Sequence, residues 1–393
     1  MSVTEPEGFV AGGVAGGIKA GGGLDLALVA TADGVPVPAA AVCTGNLAAA
    51  PAVQLTRRHL GATGGLAAAV VLSSGNANAA TGAQGLADVT EMCSTVAAGL
   101  GADATAAEHV LVAQTGLIGI PMPMAPVRSG LPMLLADRRA GREAAARAAQ
   151  AIMTTDTRPK ETVVSGTGFC VGAMAKGAAM LAPNMATMLA VLTTDAAVEP
   201  SVLQRALAEA VAGSFNRLSI DGCTSTNDTV AILASGRSTV APGQAELTAV
   251  LADACGQLAA MMADDAEGAT KVARVQVGGA ASDAEAHQAA RKVAESQLVQ
   301  CSLNGADPYW GRVVSELGSA GVAFELDRVA VAYGGVTVCA GGIAVDHDAA
   351  AVATHMAGRM IDLQCDLGIG SGSGAVLTTD LSYGYIDENR TTS

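Results

Sequence analysis

The chain has 393 residues, half of them hydrophobic and 15% charged, with a mean hydropathy of +0.40, which excludes an intrinsically disordered protein. At about 150 residues per domain, the length predicts two or three domains or one large α/β unit. The net charge of −14 excludes nucleic acid as a partner, because binding it needs a basic face to displace counterions. Four Phe, four Tyr and one Trp leave the core to small aliphatic residues and some of the 48 Gly. No apolar run of about 18 residues is present, and Met1-Ser2-Val3-Thr4-Glu5-Pro6-Glu7 lacks a basic leader, so a cytoplasmic protein with no membrane partner is expected. Cys43, Cys93, Cys170, Cys223, Cys255, Cys301, Cys339 and Cys365 show no CxxC spacing and read as reduced thiols. The five histidines have no zinc-site spacing, and no metal is expected.

In chain order, the first feature is Gly12-Gly13-Val14-Ala15-Gly16-Gly17-Ile18-Lys19. It lacks the GK[ST] and the strand–loop–helix frame of a phosphate loop, and reads as tight turns. Short β-like runs follow at Leu26–Ala30, Ala69–Leu72 and Val110–Ala113. Apolar periodicity predicts helices over 133–152 and 200–214, where Val202, Leu203, Leu207 and Val211 recur behind a Pro200-Ser201 entry. A strand at Val230–Leu233, a helix over 244–264, a strand at Val272–Val277 and a helix over 281–297 come next. Strands at Val329–Val331 and Val336–Cys339 precede a helix over 348–358. Gly368-Ile369-Gly370-Ser371-Gly372 comes near a dinucleotide loop but leads into the strand-like Ala375-Val376-Leu377-Thr378, so it too reads as a turn. The alternation predicts α/β architecture.

The densest unusual stretch runs from Lys176 to Leu189 and contains Pro183-Asn184-Met185-Ala186-Thr187. A threonine beside such a turn is ordinarily a helix cap or a strand residue. A second reading fits the chemistry of threonine. Its hydroxyl is a weak nucleophile without a base, and the chain supplies one if Thr187 becomes a new N-terminus. A free α-amine, with a pKa of roughly 7.7–8.0, takes the hydroxyl proton near neutral pH. That reading requires cleavage of Ala186–Thr187 by an acyl shift from nitrogen to the Thr187 oxygen.

Seven segments then decide between the two readings: Gly75–Gly82, Thr115–Gly119, Ala151–Asp156, Lys176–Asp195, Asp221–Thr229, Asp265–Gly268 and Asp307–Arg312. In order and in composition they resemble the motifs of the ornithine acetyltransferases, the glutamate N-acetyltransferases of arginine biosynthesis. The resemblance runs from about residue 8 to the C-terminus. It implies a layered α/β sandwich of the type shared with self-processing aminopeptidases. It also implies self-cleavage into fragments 1–186 and 187–393 that form one catalytic unit, with a further oligomer expected. By the same resemblance Thr187 is the nucleophile, and Thr115 and Gly116 form the oxyanion hole. Thr154, Lys176, Glu267, Asn389 and, approximately, Ser393 contact substrate. The implied reaction is ping-pong transfer of acetyl from N-acetylornithine to glutamate through an acetyl-threonine enzyme, with no metal or organic cofactor.

The sequence departs from the family at several positions. Tyr309 and Ser73 stand where Asn is usual, Ala80 where Cys is usual, and Gln114 where Ser usually precedes the oxyanion threonine. The usual Phe-Thr-Arg/Lys-Asn run reads Cys43-Thr44-Gly45-Asn46, and the tail is one residue shorter than usual. These changes leave the nucleophile, the oxyanion pair, Lys176 and Glu267 intact and bear on substrate choice. Three alternatives therefore stay open: a related N-acyl donor or amine of specialised metabolism, a self-processing amidase or aminopeptidase, and a non-catalytic binding protein.

Overall fold

The structure is a computed structural model that describes residues 2–180 and 188–390. The chain divides into two compact units, residues 1–216 with 224–262 and residues 217–223 with 263–393.

The first unit is a layered α/β sandwich. One sheet has the order β1 (Phe9–Val14), β2 (Leu26–Thr31), β5 (Ala69–Asn76) and β6 (Val110–Leu117). The other has the order β4 (Leu66–Ala67), β3 (Val37–Cys43), β10 (Thr229–Ala234), β9 (Leu189–Thr194), β8 (Cys170–Lys176) and β7 (Lys160–Ser165). Successive side chains on a strand face opposite ways. Ala27 and Val29 therefore pack with Leu72, Leu111, Val191 and Leu233 from both sheets. Leu26 and Leu28 face the other way, toward α1 (Pro51–Thr63), α2 (Gly82–Leu100) and α3 (Met124–Asp137). Strands covered on both faces need apolar residues throughout, which is why these segments read as continuous runs. Against the second sheet, α5 (Pro200–Gly213) packs on β3. The helix expected over 244–264 is α6 (Gln244–Asp264).

Two expected helices differ. The one over 133–152 is α3 followed by α4 (Arg142–Ala151). Between them Arg139 exchanges backbone hydrogen bonds with Ala11, at 3.0 and 2.9 Å, and Gly141 takes φ +106°. The edge of β1 supplies partners that a continuing helix would need from within. The helix over 281–297 is α7 (Asp283–Ala294) followed by α8 (Gln297–Asn304). Ser296 restarts the chain there by accepting the Val299 N–H as an N-cap.

The second unit holds one mixed sheet in the order β14 (Ile343–Ala344), β13 (Val336–Ala340), β12 (Ala330–Tyr333), β15 (Met360–Asp366), β11 (Val272–Ala280) and β16 (Gly372–Thr379). Its core joins Val275, Ile361 and Leu363 to Ala286, Ala290 and Val293 of α7. Helices α9 (Trp310–Gly318), α10 (Ala349–Ala357) and α11 (Tyr383–Asn389) complete it.

The glycine-rich opening is partly strand, since Gly12–Val14 belong to β1. Beyond it the N–H groups of Gly16, Gly17, Ile18 and Lys19 donate to the buried Asp25 carboxylate at 2.6–3.1 Å. Such a run of amides is an anion cradle, and here the chain's own carboxylate fills it. All eight cysteines are free thiols. Among the described residues, no helix is long and apolar enough to cross a membrane.

Candidate active site

Parallel strands β5 and β6 end side by side, and their register slips at Gly75 and Asn76. Gly116 lies at this slip with φ +132°. A Cβ there would stand 2.3 Å from the Gly75 carbonyl carbon and 2.5 Å from the Asn76 nitrogen, so the position admits only glycine. The preceding residue, Thr115, is buried, and the Lys176 ammonium at the end of β8 donates to its Oγ1 at 3.4 Å. Two residues expected to act together are thus brought together from strands of different sheets.

A buried lysine needs counter-charge, and Asp156 supplies it. Its Oδ1 accepts from the Lys160 ammonium and the Gly177 N–H, both at 2.7 Å, and its Oδ2 accepts the Thr154 N–H at 3.1 Å. Burial alone would push this carboxyl up. The Lys176 and Lys160 charges and the hydrogen bonds from Lys160 and Gly177 outweigh it and hold the carboxyl below its ordinary range. One carboxylate thereby fixes the backbone at Thr154 and next to Lys176, both expected substrate contacts. Lys19 adds a further cation. Its ammonium donates to the Leu24 carbonyl at 2.8 Å. Burial lowers its pKa despite Asp25 and Asp156, and the Lys176 charge lowers it further.

The first described residue after 187 is Met188. Its N–H donates to Asp228 Oδ1 at 2.9 Å, and its carbonyl accepts the Thr229 N–H at 3.2 Å. The neighbouring Asn227 amide donates to the carbonyls of Ala77, at 2.7 Å, and Gln114, at 2.9 Å. This hydrogen-bonded chain ties the start of β9 to the residue preceding Thr115. Sequence reasoning gave no role to Lys19, Asp156, Asn227 or Asp228. The available signal was polar residues immediately bordering wholly apolar strands, as at Asn227-Asp228 before β10. Thr187, Ala186 and Ser393 lie outside the described residues.

In the second unit, the Asn389 amide at the end of α11 donates to Glu267 Oε2 at 2.7 Å. Two residues expected to contact substrate, Glu267 and Asn389, are thus hydrogen-bonded to each other. Ser382, the N-cap of α11, donates to the Gly268 carbonyl at 2.6 Å and so fixes the helix start beside the same loop. Among the described residues, no three or more His, Cys, Asp or Glu side chains converge on a cation position.

The sequence model of the ArgJ family matches residues 10–391. The chain belongs to the ArgJ family. It is 45% identical over 392 residues to the arginine biosynthesis bifunctional protein ArgJ of Mycobacterium tuberculosis (strain H37Rv), covering 99% of this chain and 96% of that one. The protein of the same name from Thermobifida fusca is 44% identical over 389 residues, with 99% of each chain covered. Among solved structures, the crystal structure of the Bacillus halodurans argJ protein is 33% identical. It covers 50% of this chain and 96% of that one at a TM-score of 0.49.

Against the ArgJ pattern, two of the departures are neighbours. Ser73 and Gln114 face each other across β5 and β6. Both are fully buried, and the Gln114 amide donates to Ser73 Oγ at 3.2 Å. By the resemblance described above, Asn is expected at the first of these positions and Ser at the second. Here the amide and the hydroxyl have changed strands, and the pair's polar chemistry is kept. The Gln114 oxygen also accepts from Asn78 at 3.1 Å. This pair braces the interior behind the turn at Thr115 and Gly116. Beside Gly45, where the resemblance leads to the expectation of a basic residue, a guanidinium arrives from α1, with Arg57 donating to the Thr44 carbonyl. Tyr309, in the second unit, is 55% exposed and lies under the Arg312 guanidinium, 5.8 Å from the ring centre.

Proposed function

We propose that this chain moves an acetyl group from N-acetylornithine to glutamate, through an ester on Thr187 made available by cleavage between Ala186 and Thr187. The observation that carries this reading is the buried Lys176–Thr115 contact beside the Asp228-anchored start of β9. It supplies an oriented hydroxyl and a fixed positive charge next to the chain that enters from Thr187. In donors aimed at a developing oxyanion, each group is worth about 3–4 kcal/mol.

Thr187 Oγ attacks the acetamide carbon while the Thr187 amine takes the hydroxyl proton. The Thr115 hydroxyl and the Gly116 N–H receive the oxyanion. Collapse breaks the C–N bond, the Thr187 ammonium returns its proton to the leaving nitrogen, and ornithine departs. Glutamate then enters, its amine attacks the ester carbonyl, and the acetyl group passes to it. Lys176 meets a substrate carboxylate, and Glu267, oriented by Asn389, offsets the side-chain ammonium of ornithine.

Cleavage would leave the fold joined. Strands β8 and β9 flank the cut and pair from Val171↔Thr194 to Lys176↔Leu189. The same sheet interleaves β4, β3, β8 and β7 of fragment 1–186 with β9 and β10 of fragment 187–393. A two-fragment enzyme whose pieces stay paired agrees with this arrangement.

Intact-mass analysis with and without N-acetylornithine tests the reading. Two fragments are expected, the second starting at Thr187 and gaining one acetyl group with substrate. A single uncut chain, another N-terminus, or no acetylated fragment would refute it. Release of free acetate with no transfer to glutamate would favour an amidase.

A further inference from the structure

Strand β6 lies at the edge of its sheet, and its backbone groups point alternately toward β5 and outward. The odd-numbered residues face β5: the His109 and Leu117 carbonyls accept the N–H groups of Ala68, at 2.7 Å, and Ala77, at 2.9 Å. The even-numbered residues face outward, where a buried carbonyl still needs a donor. Side chains from outside the sheet supply one each time. The Val110 carbonyl accepts from His59 Nδ1 at 2.8 Å, and the Val112 carbonyl accepts the Thr56 hydroxyl at 2.8 Å, both from α1. The Gln114 carbonyl accepts the Asn227 amide at 2.9 Å, from the segment just before β10. Gly116 is the next residue in this alternation, so its N–H falls on the same outward edge.

Asn227 does more than cap one carbonyl. Its second amide N–H donates to the Ala77 carbonyl at 2.7 Å, so a single buried side chain ties the ends of β5 and β6 across the slip at Gly75 and Asn76. Both partners are carbonyls, which fixes the amide with its NH₂ toward them, and its oxygen accepts the Thr226 hydroxyl at 2.6 Å. The Asn227 N–H donates to Ser225 Oγ at 3.0 Å, and the Thr44 hydroxyl donates to the Ser225 carbonyl at 2.7 Å, which anchors the Asn227 backbone in turn. Glycine has more backbone freedom than any other residue, so the direction of the Gly116 N–H must be set by what holds its neighbours. The Gln114 carbonyl also shares one rigid peptide plane with the Thr115 nitrogen. We propose that Asn227 is a positioning residue for acetyl transfer: by holding the Gln114 and Ala77 carbonyls, it fixes how Thr115 and Gly116 present their donors. The proposal rests on the Thr187 reading, in which those donors receive the oxyanion. Acetylation of the enzyme and its deacetylation by glutamate both pass through an oxyanion at this turn. Loss of Asn227 therefore slows both half-reactions by the same factor, which lowers kcat and leaves both KM values in place.

The test uses fully cleaved wild type, Asn227→Ala, Thr115→Ala and the double variant, with cleavage checked by intact mass. Rapid quenching follows acetylation by N-acetylornithine and discharge of the acetyl-enzyme by glutamate, and steady-state kinetics give kcat and both KM values. Asn227→Ala should slow each half-reaction by about 10²-fold with both KM values unchanged and a cooperative melting transition retained. Its loss should not multiply with that of Thr115→Ala, because both act on one turn, and the double variant should stay within about tenfold of Thr115→Ala. An unchanged kcat, a raised KM at intact kcat, or losses that multiply overturn the proposal. A variant that folds but stays uncut would assign Asn227 to cleavage and overturn it too. Should Asn227→Ala lose its melting transition, Asn227→Gln, which keeps both donors, and Asn227→Met, its apolar match in size, decide. Positioning requires the Gln variant to turn over at least about tenfold faster, and equal rates overturn it. A wild type that forms no acetyl-enzyme would instead sink the Thr187 reading and Asn227 with it, a result distinct from failure at Asn227 alone.

Discussion

Replacing Asp156 with Asn removes the negative charge among Lys160, Lys176 and Lys19. The Asp156 and Lys160 side chains are fully buried and 2.7 Å apart. An asparagine oxygen cannot serve all three donors that Asp156 now serves, and its NH₂ would be turned on one of them. Breaking a buried ion pair by removing one partner costs about 3–5 kcal/mol, a large part of the roughly 5–15 kcal/mol that holds a domain folded. With a urea dependence of about 3 kcal/mol per molar, the midpoint should fall by about 1 M or more at pH 7. The sign with pH follows from the depressed carboxyl. Its folded pKa lies below the unfolded value of about 3.9. Its stabilisation is therefore complete above that pH and fades as pH falls through the folded value. Urea titrations of wild type and Asp156→Asn, both in the Thr187→Ala precursor so that one chain unfolds, should show a gap that is full at pH 7 and narrows below pH 4. An unchanged midpoint at pH 7, or a gap that widens in acid, would refute the assignment of Asp156 as the counter-ion.

Gly116→Ala should lose at least 10²-fold in acetyl transfer, because the backbone must shift by about 1 Å to relieve the clash with Gly75 and Thr115 moves with it; steady-state kinetics on cleaved enzyme measure it. Ser73→Asn and Gln114→Ser should each destabilise by about 1–3 kcal/mol, and the double variant should recover most of the loss. Denaturation of the four proteins gives the coupling directly, and additive losses would show that the two positions do not act as a pair. Glu267→Gln should raise KM for N-acetylornithine by tenfold or more with little change in self-cleavage, and an unchanged KM would remove Glu267 from substrate binding.

Much of the first unit was legible because both faces of its strands are buried. Leu26–Ala30, Ala69–Leu72, Val110–Ala113 and Val230–Leu233 read as strands from apolar runs alone, and each lies within a strand of the structure. The helix over 200–214 was equally plain, since Pro200 enters it and its apolar residues repeat at helical spacing. Family motifs marked Thr115, Gly116, Lys176 and Glu267 without showing what surrounds them. Helix ends were less legible. The break before Gly141 depends on backbone bonds to Ala11, about 130 residues away in the chain, and no local pattern reports a partner at that range.

Charges and departures needed the tertiary structure most. In the sequence Ser73 and Gln114 are two unrelated exceptions that bear on substrate choice; the β5–β6 register makes them one exchanged pair in the interior. Asp25 is an ordinary acid in the sequence, and only the turn over Gly16–Lys19 makes it the anion of its own cradle. Asp228 borders an apolar run, and only the pairing of β9 with β10 sets it against Met188. Composition and periodicity determine which segments are buried, because burial follows from the side chains of the segment itself. Which polar groups meet inside is decided by register and topology, since a buried hydrogen bond or ion pair depends on a partner the local sequence does not contain.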